Sequence, residues 1–118
     1  MLDHVAIPVR DLESSRKFYE PLLTGLGAKV VMEWPGGVLF GTEDGMVALR
    51  QSEQVMPHHV AFKADRSGVD SFHEAALAAG GSDNGPPGIR PEYHENYYAA
   101  FVVDPDGHNI EAVCQRPE

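Results

Sequence analysis

Cysteine, basic residues and long apolar runs are all scarce in this chain. The 118 residues include one cysteine, Cys114, which cannot form an intrachain disulfide and is predicted to be a reduced structural thiol. Nine lysines and arginines stand against 18 aspartates and glutamates, and the net charge of -9 opposes binding to a polyanionic nucleic acid. No apolar run approaches the roughly 20 residues that a membrane-spanning helix needs. We therefore expect a protein that binds neither nucleic acid nor a membrane.

The start of the chain also lacks a recognisable targeting segment. Met1 leads almost directly into a strand-like stretch, with no basic region followed by an apolar one, so we expect a cytoplasmic protein. The length of 118 residues suits one domain, because it allows a real core but not two independent ones.

The stretch DPDGHNIEAV, residues 104 to 113, carries the clearest local signals. Its first four residues are typical of a tight turn, in which Gly107 takes the positive φ that closes a hairpin. The strand that follows places Glu111 among apolar neighbours, where an unpaired carboxylate is costly to bury. Glu111 therefore needs a partner, and matched segments at residues 3–7 and 58–62 offer histidines.

The chain contains two similar halves. In each half a strand beginning with histidine precedes a helix that ends at glycine, and an Asp-Gly turn precedes the last strand. The helices are predicted to run from the N-cap Asp11 to Gly27 and from the N-cap Ser67 to Gly80. The predicted strands are 2–9, 28–33, 37–41 and 46–50 in the first half, and 58–64, 89–93, 97–103 and 108–114 in the second. This order predicts two tandem βαβββ modules, about 1–52 and 57–118, in one α+β domain.

A tandem βαβββ repeat with a histidine opening each module and a glutamate in the closing strand resembles the vicinal-oxygen-chelate superfamily. That superfamily includes glyoxalase I, extradiol dioxygenases, fosfomycin-resistance transferases and bleomycin-resistance proteins. The resemblance implies a single domain over 1–118, in which the modules form an incomplete, curved mixed β-barrel with helices packed outside. It also implies one divalent metal ion, Fe, Mn, Zn or Ni, with His4, His59 and Glu111 as ligands. His58 is the adjacent alternative to His59, and the alignment of the halves favours His59.

The glyoxalase I pattern has a fourth ligand position that carries no ligand here. It falls on Ala48 or Leu49, depending on a one-residue choice of register, and neither side chain binds a metal. Two histidines and one carboxylate leave open positions for a small substrate that chelates the ion through two adjacent oxygens. The resemblance thus implies lyase, isomerase or extradiol-type dioxygenase chemistry. The alternatives are a non-catalytic, bleomycin-resistance-like protein that sequesters a cationic drug, which the charge of -9 suits, and a fosfomycin-resistance-like thiol transferase.

Aromatic and imidazole side chains cluster just before the long strand of the second half. His94 is a candidate acid or base near neutral pH, and Tyr98 is a candidate hydrogen-bond donor to a substrate oxygen. Tyr93 and Tyr97 are candidate substrate-binding residues, with packing at the rim of the core as the alternative. His108, beside the turn, is predicted to face solvent. We expect a homodimer, because half-barrels with exposed edges invite pairing, and the metal site can form within one chain or across the two-fold axis.

Overall fold

The computed structural model describes residues 1–117, so Glu118, the last residue of the predicted second module, lies outside the described residues. Two helices and nine strands form in this part of the chain, and the strands make two mixed sheets that do not close into a barrel. Over the same residues, no helix is both long and apolar enough to cross a bilayer.

The first half of the chain forms one four-stranded sheet and one helix. Its elements are β1 (His4–Val9), α1 (Leu12–Gly25), β2 (Lys29–Trp34), β3 (Gly37–Thr42) and β4 (Gly45–Gln51). The strand order is β1-β4-β3-β2, with β1 parallel to β4 and the other pairs antiparallel. The predicted N-cap is confirmed, because Oδ1 of Asp11 accepts a hydrogen bond from the backbone N–H of Ser14 at 3.2 Å.

The second half repeats this arrangement around a second helix. Its elements are β5 (His59–Lys63), α2 (Arg66–Ala78), β6 (Ser82–Asp83), β7 (Gly88–Ile89), β8 (Tyr98–Val103) and β9 (Asn109–Cys114). The strand order is β5-β9-β8-β6, with β5 parallel to β9, and β7 also pairs with β8. The strand predicted over 89–93 is therefore shorter and begins one residue earlier, whereas the hairpin of β8 and β9 forms as predicted.

The prediction of Ser67 as the second N-cap is wrong. Asp65 caps α2, since its Oδ1 accepts a hydrogen bond from the backbone N–H of Gly68 at 2.7 Å. The hydroxyl of Ser67 donates to the same oxygen at 3.1 Å. Both residue types favour the N-cap position, and the carboxylate two residues earlier takes it here.

The hydrophobic core lies between the two helices and one face of each sheet. Phe18 and Tyr19 on α1 meet edge to face with ring centroids 5.0 Å apart, and both are buried. Gly81, just after α2, lets the halves approach closely, because a Cβ there would come within 2.6 Å of the Phe18 ring. Cys114 is buried at the end of β9, as the sequence predicts.

The other face of each sheet points away from the helices, and we call it the open face. In the first sheet it carries His4, Ala6 and Ala48, since Ile7 and Val9 on β1 alternate with them into the core. In the second sheet the corresponding side chains are His59, Ala61, Phe101 and Glu111, which neighbour one another across β5, β9 and β8.

Candidate metal centre

The second sheet brings together two of the predicted metal ligands. Glu111 lies in the middle of β9 opposite Ala61, and His59 begins β5 two residues earlier on the same face. Nε2 of His59 lies 2.9 Å from Oε1 of Glu111. The Glu111 side chain is 2% exposed and that of His59 is 49% exposed. A buried carboxylate is thus paired with an imidazole that reaches the surface of the open face.

The hydrogen bond made by Nδ1 of His59 determines the protonation of the nitrogen that faces Glu111. Nδ1 of His59 lies 2.8 Å from the backbone carbonyl oxygen of Asn109, so Nδ1 carries the proton and donates it. In the neutral imidazole, Nε2 then directs a lone pair at the carboxylate of Glu111, which is also an acceptor. Two lone pairs cannot bond to each other, so a proton or a cation must lie between them.

This donor set fits a divalent metal ion. A histidine ligand usually donates its other ring N–H to a carbonyl or carboxylate, as Nδ1 of His59 does to Asn109. Two ligand atoms about 3 Å apart match neighbouring positions around an ion with bonds of about 2.1 Å. Nε2 of His59 and Oε1 of Glu111, at 2.9 Å, meet that condition without any change in the fold.

Tyr97 holds the second oxygen of the carboxylate. Its hydroxyl donates a hydrogen bond to Oε2 of Glu111. Burial is the main cause that raises the pKa of Tyr97 to about 12, and the hydrogen bond to Glu111 adds to it. Tyr97 is therefore protonated at neutral pH and acts as a donor. Tyr93 packs edge-on against it, with ring centroids 5.1 Å apart and most of its own surface exposed.

Two further residues at this place were not among the predicted site residues. The ring of Phe101 stacks with that of His59, with centroids 6.3 Å apart and planes at 22°. The guanidinium of Arg90 lies over the same Phe101 ring, 5.4 Å from its centroid. Phe101 shares the open face with Glu111 and could have been placed there by strand alternation, whereas Arg90 is positioned by the loop geometry around β7.

The structure does not bring Tyr98 or His94 into contact with this pair. Tyr98 lies on the opposite face of β8 because side chains alternate, and its hydroxyl donates to Oδ1 of Asp70 on α2 at 2.5 Å. This corrects the assignment of Tyr98 as a donor near the metal. His94 is exposed in the loop between β7 and β8, where its Nδ1 accepts a hydrogen bond from the backbone N–H of Asn96 at 3.1 Å.

His58 and His59 have different surroundings. Nδ1 of His58 lies 2.6 Å from the backbone carbonyl oxygen of Met56, and its ring meets that of His108 edge to face at 5.3 Å. Since consecutive strand residues point to opposite faces, the structure places His59, and not His58, beside Glu111.

His4 lies on the first sheet, apart from the other two predicted ligands. Its Nδ1 is 2.6 Å from Oδ1 of Asp3, and its side chain is 60% exposed. Donation from Nδ1 to the carboxylate presents the lone pair of Nε2 outward. Within residues 1–117, His4, His59 and Glu111 do not form a group in which all three ligand atoms lie within 4.8 Å of one another. A single chain therefore has a pair of candidate ligands on one sheet and a third, oriented imidazole on the other.

The strand register decides between Ala48 and Leu49 at the fourth ligand position. Ala61 is opposite Glu111 in the second sheet, and its counterpart Ala6 is opposite Ala48 in the first. Leu49 is fully buried on the helix-facing side. Ala48 is thus the equivalent of Glu111 and offers no ligand atom.

A second group of ligand-type side chains lies at the turn between β8 and β9. Asp104, Asp106 and His108 are the one group in the described chain with three ligand atoms within 4.8 Å of one another. Oδ1 of Asp104 accepts from the backbone N–H of His108 at 2.7 Å, and Oδ2 accepts from the hydroxyl of Tyr19. Asp106 accepts from the backbone N–H of Arg10 at 3.1 Å and from the hydroxyl of Ser15 at 3.3 Å. Protein donors therefore already serve these carboxylates, and we call the group with its partners the turn network.

The prediction that His108 faces solvent is wrong, because the side chain is fully buried in the turn network. Its Nδ1 accepts a hydrogen bond from the backbone N–H of His58 at 2.9 Å. Its Nε2 donates to the backbone carbonyl oxygen of Pro8, in the first half, at 2.8 Å. The neutral imidazole thus links the end of β1 to the second sheet.

Comparisons with known proteins agree with this architecture. A family model described as Glyoxalase/Bleomycin resistance protein/Dioxygenase superfamily matches residues 1–112. The crystal structure of a glyoxalase/bleomycin resistance protein from Albidiferax ferrireducens T118 is 33% identical, with a TM-score of 0.84 and 99% of each chain covered. The fosfomycin resistance protein FosX from Mesorhizobium loti is 26% identical, with a TM-score of 0.72 over 97% of this chain and 91% of its own. The uncharacterized protein YqjT of Bacillus subtilis (strain 168) is 26% identical over 96% of this chain and 98% of its own.

Proposed function

The chain belongs to the Glyoxalase/Bleomycin resistance protein/Dioxygenase superfamily, and from this premise we propose that it is a divalent-metal-dependent enzyme for a small substrate with two adjacent oxygens. The proposed reaction is of the lyase, isomerase or extradiol dioxygenase type, in the cytoplasm. The bound ion, Fe, Mn, Zn or Ni, supplies a Lewis acid for the chelating oxygens. The proposed domain comprises both modules, about 1–52 and 57–118.

One observation carries this proposal. Nε2 of His59 and Oε1 of Glu111 lie 2.9 Å apart, and Nδ1 of His59 is already committed to a carbonyl oxygen, so a proton or a cation has to lie between the two atoms. Glu111 is buried, and an unpaired charge there would be costly. A divalent cation held by His59 and Glu111 would remove that cost.

We propose that the third ligand, His4, comes from the partner subunit of a homodimer. His4 is exposed and held by Asp3 with its Nε2 outward, on an open face that carries no ligand of its own. The edge strand β2 exposes apolar side chains, including Met32 at 57% and Trp34 at 37% of their surface. Exposed edges of this kind favour association, and a two-fold axis would create two equivalent sites.

The chain's own residues then have distinct roles. His59 and Glu111 would hold the ion, and Tyr97 donates to Oε2 of Glu111, which leaves Oε1 as the oxygen nearer His59. Tyr93, packed on Tyr97, lines the approach for substrate. His94 is the proposed acid or base, at the exposed end of the same loop. Ala48 provides no ligand atom at the position equivalent to Glu111, which would leave a coordination position for a substrate oxygen.

The first test is the metal content of untagged protein after anaerobic reconstitution with each ion. We expect about one equivalent per chain, and loss of binding in Glu111→Gln. His58→Gln serves as the matched control, because it changes the neighbouring imidazole on the opposite face. Less than about a tenth of an equivalent under all conditions would refute the proposal. Thermal stabilisation by bulky cationic ligands alone would instead favour a sequestering protein of the bleomycin-resistance type.

A heterodimer locates the third ligand. A chain with His4→Ala and a chain with Glu111→Ala each have a defective site on their own. If His4 crosses the two-fold axis, the purified heterodimer has one intact site, formed by His4 of the second chain and the His59 pair of the first, and binds one ion tightly. If each site forms within one chain, the heterodimer binds no better than the two parent homodimers.

A further inference from the structure

Arg90 lies beside the candidate metal centre and has no role in the function proposed above. Its guanidinium is 5.4 Å from the centroid of Phe101, and the His59 ring is 6.3 Å from the same centroid. In the second sheet β9 separates β5 from β8, and β7 pairs with the other edge of β8. Arg90 and His59 therefore flank Phe101 from opposite sides. The guanidinium lies no more than about 12 Å from the imidazole, which is within reach of one small substrate.

The loop before Arg90 holds the guanidinium in place. Nη1 donates to the backbone carbonyl oxygen of Gly88 at 2.9 Å, and Nη2 donates to that of Pro86 at 2.7 Å. A Cβ at Gly85 would come within 3.0 Å of Nη2, and one at Gly88 within 3.2 Å of Nη1. The two glycines therefore make room for the cation, and the two carbonyls fix its orientation. These bonds use two of the five N–H donors of a guanidinium.

The charge around Arg90 is not balanced within the chain. In the described part of the molecule, no carboxylate forms an ion pair with Arg90, whereas Arg10 and Arg16 are paired with acidic side chains. The partners of Arg90 are two neutral carbonyls and the aromatic ring of Phe101, which lies on the open face, so Arg90 adds an uncompensated positive charge beside that face.

From these contacts we infer that Arg90 binds an anionic group of the substrate, a carboxylate, phosphate or phosphonate, at the far end from the two chelating oxygens. The inference rests on the proposed function for the position of those oxygens. A substrate of this class spans the ring of Phe101, with its chelating end at His59 and Glu111 and its anionic end at Arg90. The planar fork of arginine donors suits two oxygens of one anion. Arg90 is thus a specificity-determining residue and takes no part in bond making.

Two hydroxamates that differ only in charge test this assignment. Succinic acid monohydroxamate and its methyl ester both chelate a metal through adjacent oxygens, and only the acid has an anionic far end. We expect calorimetry on the Mn(II)-loaded protein to show the acid binding about tenfold tighter than the ester. In Arg90→Gln this preference is expected to disappear while the affinity for the ester is retained. Arg90→Lys, which keeps the charge, is expected to keep most of the preference.

The chain offers a matched control on the opposite face of β8. Arg66 also lies over an aromatic ring, that of Tyr98 at 5.1 Å, and also donates to a backbone carbonyl oxygen, that of Pro117 at 3.1 Å. Arg66→Gln removes the same charge and should leave the acid-over-ester preference unchanged. An equal loss in both variants would show a general charge effect and would overturn the assignment of Arg90.

A second experiment uses the metal-free protein. Inorganic phosphate titrated into the metal-free protein should move the Nε–H resonance of Arg90 in nitrogen-15 NMR spectra and leave that of Arg66 in place. If metal binds but acid and ester bind equally, the inference fails and the proposed function stands. If no metal binds but phosphate still moves the Arg90 resonance, the proposed function fails and the anion site stands. Should Arg90→Gln not fold, the phosphate titration decides: an unmoved Arg90 resonance refutes the inference.

Discussion

Tyr19→Phe removes one hydroxyl from the buried part of the turn network, and the structure sets the size of the expected loss. Tyr19 is 0% exposed and donates to Asp104, which is 5% exposed. Burial, followed by the charge of Asp104, raises the pKa of Tyr19 well above its ordinary value, so it stays a donor. Losing a hydrogen bond to a charged group costs about 1.5–3 kcal/mol. For 118 residues at about 2.1 cal/mol/K each, a loss of about 2 kcal/mol lowers Tm by about 8 °C.

Tyr98→Phe is the control for this prediction. Its hydroxyl also donates to an aspartate, Asp70 at 2.5 Å, but that carboxylate is exposed to water. Water can replace the lost donor there, so we expect a loss below about 1 kcal/mol. Urea unfolding and calorimetry on the metal-free protein measure both variants. Equal losses, or less than about 0.5 kcal/mol for Tyr19→Phe, would refute the claim that burial sets the cost.

Three further perturbations follow from the site and its surroundings. Tyr97→Phe frees Oε2 of Glu111 and is expected to weaken metal binding by about 10- to 100-fold in a Mn(II) competition assay. Because Glu111 is buried, loss of this donor is also expected to destabilise the metal-free protein by about 1.5–3 kcal/mol. Ala48→Glu adds a carboxylate at the symmetry-equivalent position and should tighten metal binding in the same assay, whereas Leu49→Glu places a charge in the core and should unfold the protein. The hydrogen bond from His73, then that from Gly85, lowers the pKa of Asp83 below its ordinary value. The contact therefore stabilises the fold above the ordinary pKa, and this stabilisation is lost as the pH falls through the lower pKa of the folded state. The Tm difference between wild type and Asp83→Asn should therefore be larger at about pH 7 than at about pH 2.5.

Much of the fold was predictable because its signals are local and occur twice. The N-cap at Asp11 and the turn at Gly107, which has φ of +91°, depend on residues within a few positions of one another. The matched histidines at the start of β1 and β5 and the glutamate on β9 follow from strand alternation. The register of β1 on β4 needed the structure, since a shift of one residue exchanges Ala48 and Leu49.

What the sequence could not predict depends on contacts between distant parts of the chain. His108 reads as a polar residue beside an exposed turn, yet its partner Pro8 is 100 residues away. Tyr97 and Tyr98 are adjacent and chemically alike. Only the alternation of side chains along the strand decides that Tyr97 donates to Glu111 and Tyr98 to Asp70. No sequence motif marks Arg90, because its position is set by backbone carbonyls and two glycines.

The tight turn at residues 104–107 connects the first half of the chain to the strand that carries Glu111, and this has a thermodynamic consequence. The turn network fastens the hairpin to the first half through the backbone N–H of Arg10, and Glu111 stands only a few residues further along the same strand. Any opening of the joint between the halves must therefore shift the carboxylate as well. By linkage, an ion that binds only when the two halves are in contact stabilises this contact, although the ion does not touch it. Hydrogen exchange at the amides of Arg10 and His58 should slow when the ion is added.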